Sequence, residues 1–303
     1  MPLPTVTVCI PSYNHAKYVE AAIESVIAQT YTKIEFIIID DGSTDESLAI
    51  IRKKQKLFPS RFVRHEVRSR TNKGLPTTLN EALTWSEGKY FVMLSSDDIL
   101  LPNKVGTLVD YLEANEFCAG VFGGIALINS DGLLLREVVP QEGIWGFRDV
   151  LEKRCTLWAP TMMMRTKSLL EVGGYWEDIA LEDRAMTLKL AHSGYKLATI
   201  GTVVAEYRNH SYNTIQNHKK MLHQRLKIYR RLGKSNLIKK AQSKALYGYC
   251  LEIHKISNKR AMKFYFIANN RHCMACLTKA GRRALKKIIL NMFLSNLKGF
   301  YNA

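Results

Sequence analysis

The sequence of 303 residues predicts an α/β fold built on a doubly wound, mostly parallel β-sheet with helices on both faces, followed by a basic helical extension. Short apolar runs rich in β-branched residues alternate with segments of helical periodicity in the N-terminal third of the chain. A cluster of polar residues follows each of these runs. Beyond residue 214, strand patterns give way to helical spacing with Lys and Arg. We therefore expect two domains, residues 1–214 and 215–303.

The apolar runs TVTVCI, IEFIIID and KYFVML predict strands at residues 5–10, 34–40 and 89–94. The middle run is apolar on both faces, which is typical of a parallel sheet covered by helices on both sides. Apolar residues at helical spacing predict helices within residues 18–30, 41–53 and 72–86. The resulting β-α-β-α-β order favours a doubly wound sheet, in which ligands bind at the carboxyl ends of the strands.

Composition and the start of the chain indicate a globular protein of the cytoplasm. Hydrophobic residues make up 47% and charged residues 23%, which are values of folded rather than disordered chains. The opening residues MPLPTVTVCIPSYN contain no basic start followed by an apolar run, so we expect no signal peptide. No apolar run reaches the length of about 18 residues that a membrane-spanning helix needs. The scattered cysteines are expected to be reduced thiols, and Cys273-x-x-Cys276 lacks the second half of a zinc module.

The positive charge is concentrated at the end of the chain. Residues 215–303 hold 21 of the 44 Lys and Arg but a single acid, Glu252, whereas residues 1–214 hold 23 basic and 26 acidic residues. This asymmetry predicts an anionic partner for the C-terminal region. No nucleic-acid-binding motif is recognisable, so we expect no nucleic acid.

The stretch RRALKKIILNMFLSNLKGFYNA, residues 282–303, is predicted to be an amphipathic helix with basic residues on one side. Its apolar side would be formed by Leu285, Ile288, Ile289, Met292, Phe293, Leu297 and Phe300. Basic helices of this kind bind anionic membrane surfaces. The alternative is that the C-terminal helices pack on the α/β domain with their basic residues in solvent.

Polar residues follow each predicted strand at the same relative position. ProSerTyrAsn at 11–14 follows the first strand, AspAspGlySer at 40–43 the second, and SerSerAspAsp at 95–98 the third. Because the carboxyl ends of parallel strands meet at one edge of a sheet, we expect these clusters to form one ligand site.

Two adjacent carboxylates, Asp97 and Asp98, follow a strand that is predicted to be buried. Like charges at such a place repel each other, and burial adds a cost of desolvation. A divalent cation would offset both effects, because Mg²⁺ or Mn²⁺ binds one or two carboxylates and fills its other positions with phosphate oxygens and water. The pair therefore predicts a metal–diphosphate site; the alternative is that it caps the helix predicted in LPNKVGTLVDYL, residues 101–112.

A second acidic pair, Glu182 and Asp183, precedes AMTLKLAHSGYKL, which has helical spacing. An acidic side chain at a helix N-terminus interacts favourably with the helix dipole, so capping is one interpretation. The other is catalysis, in which a carboxylate accepts the proton of an attacking hydroxyl. Displacement of a diphosphate from a sugar carbon needs such a base and a Lewis acid on the leaving group.

Five segments resemble, in order, the motifs of glycosyltransferase family 2, the GT-A type with a Rossmann-like sheet. They are VTVCIPSYNHAKYVEAAIESVIAQTYTKIEFIIIDDGSTD, NKGLPTTLNEAL, GKYFVMLSSDD, VGGYWEDIALEDRAMTLKLAHSGYKL and YRNHSYNT, within residues 5–214. The resemblance implies an inverting, metal-dependent hexosyltransferase. Its donor would be a nucleotide diphosphate sugar, expected to be a UDP-sugar, and its acceptor a hydroxyl of a saccharide.

The resemblance also implies roles for individual residues. The nucleotide sugar would be bound by Pro11, Tyr13, Asn14, Asp41, Asp97, Glu182 and His210. Asp97 and Asp98 would hold Mn²⁺ or Mg²⁺, with the division between them left open, and Asp183 would be the catalytic base. One position departs from the family, because Ser95 stands where the first Asp of an Asp-x-Asp-Asp pattern is expected.

Trp158 lies in TLWAPTMMMRTKSLL, where enzymes of this family hold the acceptor. An aromatic face packs well against the apolar face of a sugar, which favours an acceptor-binding role for Trp158. Packing in the core is the alternative, and Met162–Met164 are predicted to be core residues.

Three functions are weighed on this basis. The first is a glycosyltransferase of surface-polysaccharide synthesis, such as O-antigen of lipopolysaccharide or capsule. It would act on a lipid-linked saccharide as a peripheral protein at the inner face of a bacterial plasma membrane. The second is a sugar-nucleotide or glycan-binding protein without turnover, for which Ser95 is the argument. The third, a nucleotidyltransferase, would need a Gly-rich basic loop where this chain has ProSerTyrAsn, so we expect the first.

Overall fold

A computed structural model of the chain describes residues 2–209, 218–253, 257–271 and 280–290. The chain divides into two compact units, Met1–Tyr212 and Asn213–Ala303. The first unit is an α/β structure and the described part of the second is helical.

The described residues of the first unit form a ten-stranded sheet. Its strands are β1 (Val6–Ser12), β2 (Ile34–Asp40), β3 (Arg64–Ser69), β4 (Tyr90–Met93), β5 (Ile99–Leu100), β6 (Cys118–Ile128), β7 (Leu134–Val138), β8 (Gly143–Trp145), β9 (Met163–Arg165) and β10 (Lys196–Arg208). The order across the sheet is β3-β2-β1-β4-β9-β6-β10-β5, with β7 paired to β6 and β8 paired to β10.

Helices connect these strands and form the second unit. The first unit contains α1 (Val19–Ile27), α2 (Ser47–Lys54), α3 (Leu75–Trp85), α4 (Lys104–Ala114), α5 (Phe147–Glu152), α6 (Thr166–Glu171) and α7 (Glu182–His192). The second contains α8 (His218–Arg231), α9 (Asn236–Ile253), α10 (Asn258–Arg271) and α11 (280–290). Short 3₁₀ turns occur at Gln55–Leu57 and Ala159–Thr161.

The predicted α/β class is confirmed, and parallel pairing dominates among the long strands. β3, β2, β1 and β4 are parallel neighbours, and β6 pairs in parallel with β10. The antiparallel partners β5, β7, β8 and β9 are all short. β1 and β2 are buried along their whole length, as their β-branched composition predicts.

The register of the parallel strands brings the predicted polar clusters to one edge of the sheet. Ser12 pairs with Asp40 across β1 and β2, and Cys9 pairs with Met93 across β1 and β4. The residues that follow each strand therefore leave the sheet at the same edge. This edge is called the carboxyl edge below.

Strand β3 is absent from the sequence prediction. Its sequence RHEVRS has Val67 as its one apolar residue, and the strand is half-buried at the border of the sheet, where it pairs with β2 alone. A search for apolar runs misses such an edge strand, because solvent covers one side of it.

The hairpin signal NSDG, residues 129–132, is confirmed between β6 and β7. The side-chain oxygen of Asn129 accepts hydrogen bonds from the backbone N–H groups of Asp131 and Leu133. Gly132 has a φ of 86°, a backbone conformation that suits glycine.

The second unit has its own apolar core, formed by residues of α8 to α11. In α11, Ala284 and Ile288 are fully buried in this core and Leu285 packs against it, whereas Ile289 and Leu290 are exposed. Leu285 and Ile288 of the predicted apolar side therefore pack within the second unit. The rest of that side, from Met292 onward, lies outside the described residues, as do Cys273 and Cys276.

None of the helices in the described ranges is long and apolar enough to cross a membrane. Cys9, Cys118, Cys155 and Cys250 are free thiols. Met162, Met163 and Met164 are buried, which confirms their prediction as core residues.

Candidate active site

The loops after β1 and β2 are joined at the carboxyl edge by Asn14. Its side-chain oxygen accepts a hydrogen bond from the Thr44 N–H at 2.8 Å, and its own N–H donates to Ser43 Oγ at 3.0 Å. Asn14 has a φ of 53°, which Asn tolerates better than most residues. Pro11 lies in β1 beside Ile39, and the Tyr13 ring is 47% exposed. Two of the predicted polar clusters thus form one surface.

Asp41 organises the loop at residues 70–74. Its carboxylate accepts hydrogen bonds from the N–H groups of Lys73 at 2.8 Å and Gly74 at 2.9 Å, and from the guanidinium of Arg70. Arg70 also donates to Glu81 at 2.9 Å. A carboxylate offers about four acceptor positions, so the predicted bond to a nucleotide base can be added to these three.

Asp98 is 2% exposed and is tied to the end of β10. Its Oδ1 accepts a hydrogen bond from the Arg208 N–H at 2.9 Å, and the Arg208 Nε donates to the Asp97 carbonyl oxygen at 2.9 Å. Burial raises the pKa of Asp98 well above its usual value, the charge of Asp97 raises it further, and Arg208 and Lys104 oppose these effects. Asn103, not this pair, occupies the N-cap of α4, so the capping interpretation is wrong.

The two carboxylates fit a divalent cation that is shared with a diphosphate. In the described part of the chain, no group of three or more His, Cys, Asp or Glu is arranged to hold a metal ion. Mg²⁺ or Mn²⁺ needs fewer, because phosphate oxygens and water complete its coordination. A cation would also stabilise the ionised form of Asp98, whose burial beside Asp97 now disfavours it.

The Ser95-Ser96 pair before these carboxylates has two different environments. Ser96 is buried, and its Oγ lies 2.7 Å from His15 Nδ1, which connects this turn to the loop after β1. Among the described residues, Ser95 Oγ makes one long contact, of 3.9 Å with the sulfur of Met93. The residue that replaces the expected first Asp therefore supplies a weakly bound hydroxyl.

Glu182 and Asp183 are the first two residues of α7, as predicted. Burial and the charge of Asp183 raise the pKa of Glu182 to about 8. Burial also raises the pKa of Asp183, although the Arg184 N–H donates to its Oδ1 at 2.5 Å. Burial thus raises the pKa of both acids, and the charge of Asp183 raises that of Glu182 further, so this pair is suited to proton transfer.

The turn that leads to this pair is held by Asn80 of α3. The Asn80 side chain accepts a hydrogen bond from the Tyr175 N–H at 2.7 Å and donates to the Tyr175 carbonyl oxygen at 3.0 Å. Gly173 and Gly174 have φ values of 75° and 62°, which favour glycine. A β-carbon at Gly174 would also lie 2.6 Å from the Asn80 side-chain oxygen. The GG of VGGYWED is therefore required by local backbone geometry.

Tyr207 lies near carboxylates of both acidic pairs. Burial, followed by the charges of Asp98, Asp97 and Asp183, raises the pKa of Tyr207 to about 12, so these carboxylates lie within electrostatic reach of one hydroxyl. The Trp158 ring lies next to Tyr207, with centroids 6.2 Å apart and planes at 39°. The Trp158 indole N–H is buried and finds no hydrogen-bond partner among the described residues. Carboxylates of both acidic pairs and the predicted acceptor residue Trp158 thus lie near Tyr207, while His210 is outside the described residues.

Comparison with known sequences assigns the chain to a family. The sequence profile of Glycosyl transferase family 2 matches residues 7–171, which is more than half of the chain. The chain belongs to glycosyl transferase family 2. The family resemblance predicted from the five motifs is thereby confirmed, and the match contains the residues from Pro11 to Trp158 that were predicted to bind donor and acceptor.

Relatives of this family 2 chain include enzymes of polysaccharide synthesis. The chondroitin synthase of Escherichia coli is 35% identical over 134 residues, which cover 44% of this chain and 19% of that protein. The chain likewise spans only 19% to 34% of the length of uncharacterized glycosyltransferases from Rickettsia and Haemophilus. These alignments therefore concern a part of each relative.

Solved structures share the fold of this family 2 chain at low sequence identity. Staphylococcus aureus TarS 1-349 in complex with UDP-GlcNAc is 18% identical, with a TM-score of 0.59 over 95% of this chain and 89% of TarS. The mannosyltransferase PcManGT from Pyrobaculum calidifontis, in complex with GDP-Man and Mn²⁺, is 17% identical. Its TM-score is 0.61 over 100% of this chain and 88% of PcManGT. The predicted GT-A type of sheet with C-terminal helices is confirmed.

Sequence reasoning missed Arg208 as a site residue of this family 2 chain. Arg208 is buried, and its guanidinium donates to the carbonyl oxygens of Asn129 at 3.2 Å and Ser130 at 3.4 Å. Together with its bonds to the Asp97–Asp98 turn, these contacts connect the turn with the β6–β7 hairpin. The signal in the sequence is the arginine in second position of the family motif YRNHSYNT.

Proposed function

We propose that this chain transfers a sugar from a nucleotide diphosphate to a hydroxyl group of a saccharide. The observation that carries the proposal is the register of β1, β2 and β4, which brings the polar residues after these strands, Asp97 and Asp98 among them, to one edge of the sheet. Tyr207 lies within electrostatic reach of this pair and of Asp183. The first pair has the chemistry to hold a metal ion and a diphosphate. The second has the chemistry of a general base. A transfer reaction needs both on opposite sides of one carbon atom.

The donor is proposed to be a UDP-sugar bound at the carboxyl edge. Tyr13 offers an exposed ring for a base or ribose, and Asp41 offers an acceptor beside the loop at residues 70–74. The TarS complex with UDP-GlcNAc and the PcManGT complex with GDP-Man support a nucleotide sugar as the class of donor. Glu182 and His210 complete the proposed donor site.

In the proposed reaction, the Asp183 carboxylate accepts the proton of the acceptor hydroxyl while the hydroxyl oxygen bonds to the anomeric carbon of the donor sugar. The bond from this carbon to the diphosphate oxygen breaks, and the nucleoside diphosphate leaves with the electron pair. Attack from the face opposite the diphosphate inverts the configuration. Because burial raises the pKa of Asp183, its carboxylate is a stronger base than an exposed one.

A divalent cation completes the proposed donor side. When bound, Mn²⁺ or Mg²⁺ supplies positive charge to the leaving diphosphate. Asp97 and Asp98 would hold it, and Arg208 fixes this turn through its backbone N–H to the Asp98 carboxylate and its Nε to the Asp97 carbonyl oxygen. The Mn²⁺ in the PcManGT complex supports this choice of metal.

The acceptor is proposed to be a lipid-linked saccharide of surface-polysaccharide synthesis. Trp158 and Tyr207 would contact its sugar ring, since aromatic faces pack on the apolar faces of sugars. The likeness to chondroitin synthase supports a polysaccharide as the class of product.

Attachment to the inner face of the plasma membrane is proposed to use α11. Ile289 and Leu290 are 54% and 53% exposed, and Arg282 and Lys286 lie beside them around one groove. Apolar side chains bordered by basic ones match a surface of anionic lipids. The surplus of 21 Lys and Arg over one acid beyond residue 214 adds long-range attraction.

The reaction is tested by nucleotide release. The full chain is incubated with UDP-sugars or GDP-mannose, Mn²⁺, and p-nitrophenyl glycosides or a bacterial lipid-linked saccharide extract. Release of nucleoside diphosphate that depends on an acceptor would support the proposal. Binding of the nucleotide without release in any combination would favour the alternative, a sugar-nucleotide or glycan-binding protein.

The membrane attachment is tested by sedimentation with vesicles. The chain should sediment with phosphatidylglycerol vesicles and not with phosphatidylcholine vesicles, and deletion of residues 281–303 should abolish this. Because that deletion removes the buried Ile288, the exposed pair Ile289→Asn and Leu290→Asn is the matched point variant. Undiminished sedimentation of both variants would show that the last helix is not the anchor.

A further inference from the structure

A fully buried lysine, Lys104, joins the segment that follows the Asp97–Asp98 turn to the 3₁₀ turn Ala159–Thr161. The second of these is called the Trp158 turn below, because it follows Trp158. Lys104 is the first residue of α4 and is 0% exposed. Its ammonium donates a hydrogen bond to the Pro160 carbonyl oxygen at 2.6 Å. Lysine is almost never fully buried without a charged partner, because its ammonium loses the favourable interaction with water. The position therefore calls for a reason other than packing.

The Lys104 end of this hydrogen bond belongs to the segment that follows the acidic pair Asp97–Asp98. Lys104 follows β5 within a few residues, and its N–H donates to the Leu101 carbonyl oxygen at 3.0 Å. The Leu101 N–H in turn donates to the Val204 carbonyl oxygen of β10 at 3.0 Å. The backbone of Lys104 is thus fixed to the same part of the sheet that holds Asp98.

The other end is the 3₁₀ turn Ala159–Thr161, which follows Trp158 directly. Thr161 closes this turn, since its Oγ1 and its N–H both donate to the Trp158 carbonyl oxygen, at 2.7 Å and 3.0 Å. The Pro160 carbonyl oxygen faces Lys104 instead. The Lys104 bond therefore joins the turn to α4, and it sets the position of the residue that precedes the turn.

A purely structural role fits these observations poorly. No carboxylate of the described residues lies within 4.0 Å of the Lys104 ammonium, and the more distant charge of Asp98 offsets the cost of its burial only in part. An unbranched apolar side chain of similar length would fill the same space without the cost of desolvating an ammonium. What such a side chain cannot do is hold the Pro160 carbonyl oxygen.

We propose that Lys104 is a positioning residue that holds the Trp158 turn in place beside the Asp97–Asp98 segment and so sets where the acceptor lies relative to the donor diphosphate. The statement about the acceptor rests on the proposed function, whereas the statement about the turn does not. Lys104 itself, being fully buried, touches neither substrate.

The turn is tested by hydrogen–deuterium exchange on the full chain without any ligand. Lys104→Met should accelerate exchange of the Thr161 and Met162 amides, which donate within the turn, by about tenfold or more, the usual effect of losing a hydrogen bond to a charged group. The amides of β1 and β4 should keep their protection, and the midpoint of thermal unfolding should be equal or higher. Lys167→Met, at a side chain 85% exposed, is the matched control and should change nothing.

Lys104→Gln separates the hydrogen bond from other effects of the substitution. Its amide N–H can reach the Pro160 carbonyl oxygen, so exchange of Thr161 and Met162 should return towards the native rate. The proposal is overturned if Lys104→Met leaves these amides unchanged, if it exposes the whole sheet to exchange, or if Lys104→Gln exchanges as fast as Lys104→Met.

The catalytic consequence is tested on the same variants with UDP-GlcNAc as the donor probe and p-nitrophenyl glycosides as acceptors. Lys104→Met should raise the KM for the acceptor about tenfold, with partial recovery in Lys104→Gln. Any change in the affinity for UDP with Mn²⁺ that follows from losing the Lys104 charge near Asp98 should be equal in the two variants. An unchanged acceptor KM would overturn the acceptor part. If the native chain releases no UDP with any acceptor, the proposed function fails, and the exchange result alone decides the role of Lys104 in the turn.

Discussion

Each of the two edges of the parallel sheet buries a carboxylate, but the two carboxylates differ in their hydrogen-bond donors and in the charges beside them. At the amino edge, where β1 and β2 begin, Glu35 is 2% exposed. Its carboxylate accepts hydrogen bonds from the Thr7 hydroxyl at 2.6 Å and from the N–H groups of Glu87 and Gly88 at 2.7 Å and 3.0 Å. At the carboxyl edge, Asp98 is equally buried and accepts one backbone hydrogen bond, from Arg208. Asp98 also lies beside a second carboxylate, Asp97.

The comparison shows that burial alone does not mark a functional acid. In Glu35, hydrogen bonds from protein donors replace those from water. These bonds join β1, β2 and the turn before β4. Asp98 and Glu182 have raised pKa values because burial and a neighbouring acid both oppose their charge. Such groups are stabilised by a cation or a proton, which is what a transfer reaction supplies.

The largest expected effect is at the proposed base. Asp183→Asn removes the proton acceptor but keeps the side-chain oxygen that faces the Arg184 N–H, so transfer should fall by a factor on the order of 10²–10⁴. The affinity for UDP with Mn²⁺, measured by calorimetry, should stay within about twofold of native. Asp110→Asn, on the exposed side of α4, is the control. Full turnover by Asp183→Asn would exclude Asp183 as the base.

At the amino edge the expected loss is of stability and not of activity. Glu35→Ala leaves the Glu87 and Gly88 N–H groups without their acceptor and should lower the free energy of unfolding by about 2–4 kcal/mol. Glu35→Gln keeps one acceptor oxygen and should lose less. Urea unfolding measures both, and UDP binding at low temperature should be unchanged. If binding fell while the protein remained folded, the distinction between the two edges would be wrong.

The third expected effect is the pH dependence that Glu182 imposes on stability. Its pKa is raised from 4.5 to about 8, so between these values the folded state holds a proton that the unfolded state has released. The free energy of unfolding should therefore fall as the pH rises from 4.5 to about 8. Glu182→Gln should flatten this slope and be more stable than the native chain at pH 8.

Urea unfolding at several pH values measures the slope of this dependence. Glu116→Gln, an exposed carboxyl on the loop after α4, is the control and should leave the slope unchanged. An equal slope in the native chain and Glu182→Gln would show that Glu182 is not held protonated in the folded state.

Much of the parallel half of the sheet can be predicted from sequence, because its signals are local. β1, β2 and β4 are apolar runs that burial on both faces requires, and the structure places them close to the predicted bounds. The edge strand β3 follows no such rule, since its half-exposed charged residues suit a loop equally well. The antiparallel strands are too short to carry a pattern of their own.

The acidic residues of the site could be predicted because each pair follows a recognisable strand or precedes a helix. The residues that hold these acids and the neighbouring turn in place could not be predicted, because each of them contacts a partner that is far away in the sequence. Arg208 contacts the Asp98 side chain across 110 positions, and Lys104 reaches Pro160 across 56. A lone Arg or Lys carries no pattern that would distinguish such a contact from exposure to solvent.

The apolar side of α11 illustrates the same limit. Helical spacing predicted that Leu285, Ile288 and Ile289 share one side, but it does not state what covers them. The core of the second unit buries Ile288 and leaves Ile289 exposed. The membrane proposal therefore depends on fewer apolar residues than the sequence indicated.

The most direct test of the central claim is calorimetric titration of UDP into the native chain and Asp98→Asn, each with Mn²⁺, with Mg²⁺ and with EDTA. We expect native binding that requires the metal. Asp98→Asn should bind about tenfold more weakly or worse, equivalent to about 1.4 kcal/mol, because it keeps the oxygen that faces the Arg208 N–H but loses the charge. Equal binding in EDTA, or native affinity in Asp98→Asn, would contradict the assignment of the carboxyl edge as a metal–diphosphate site.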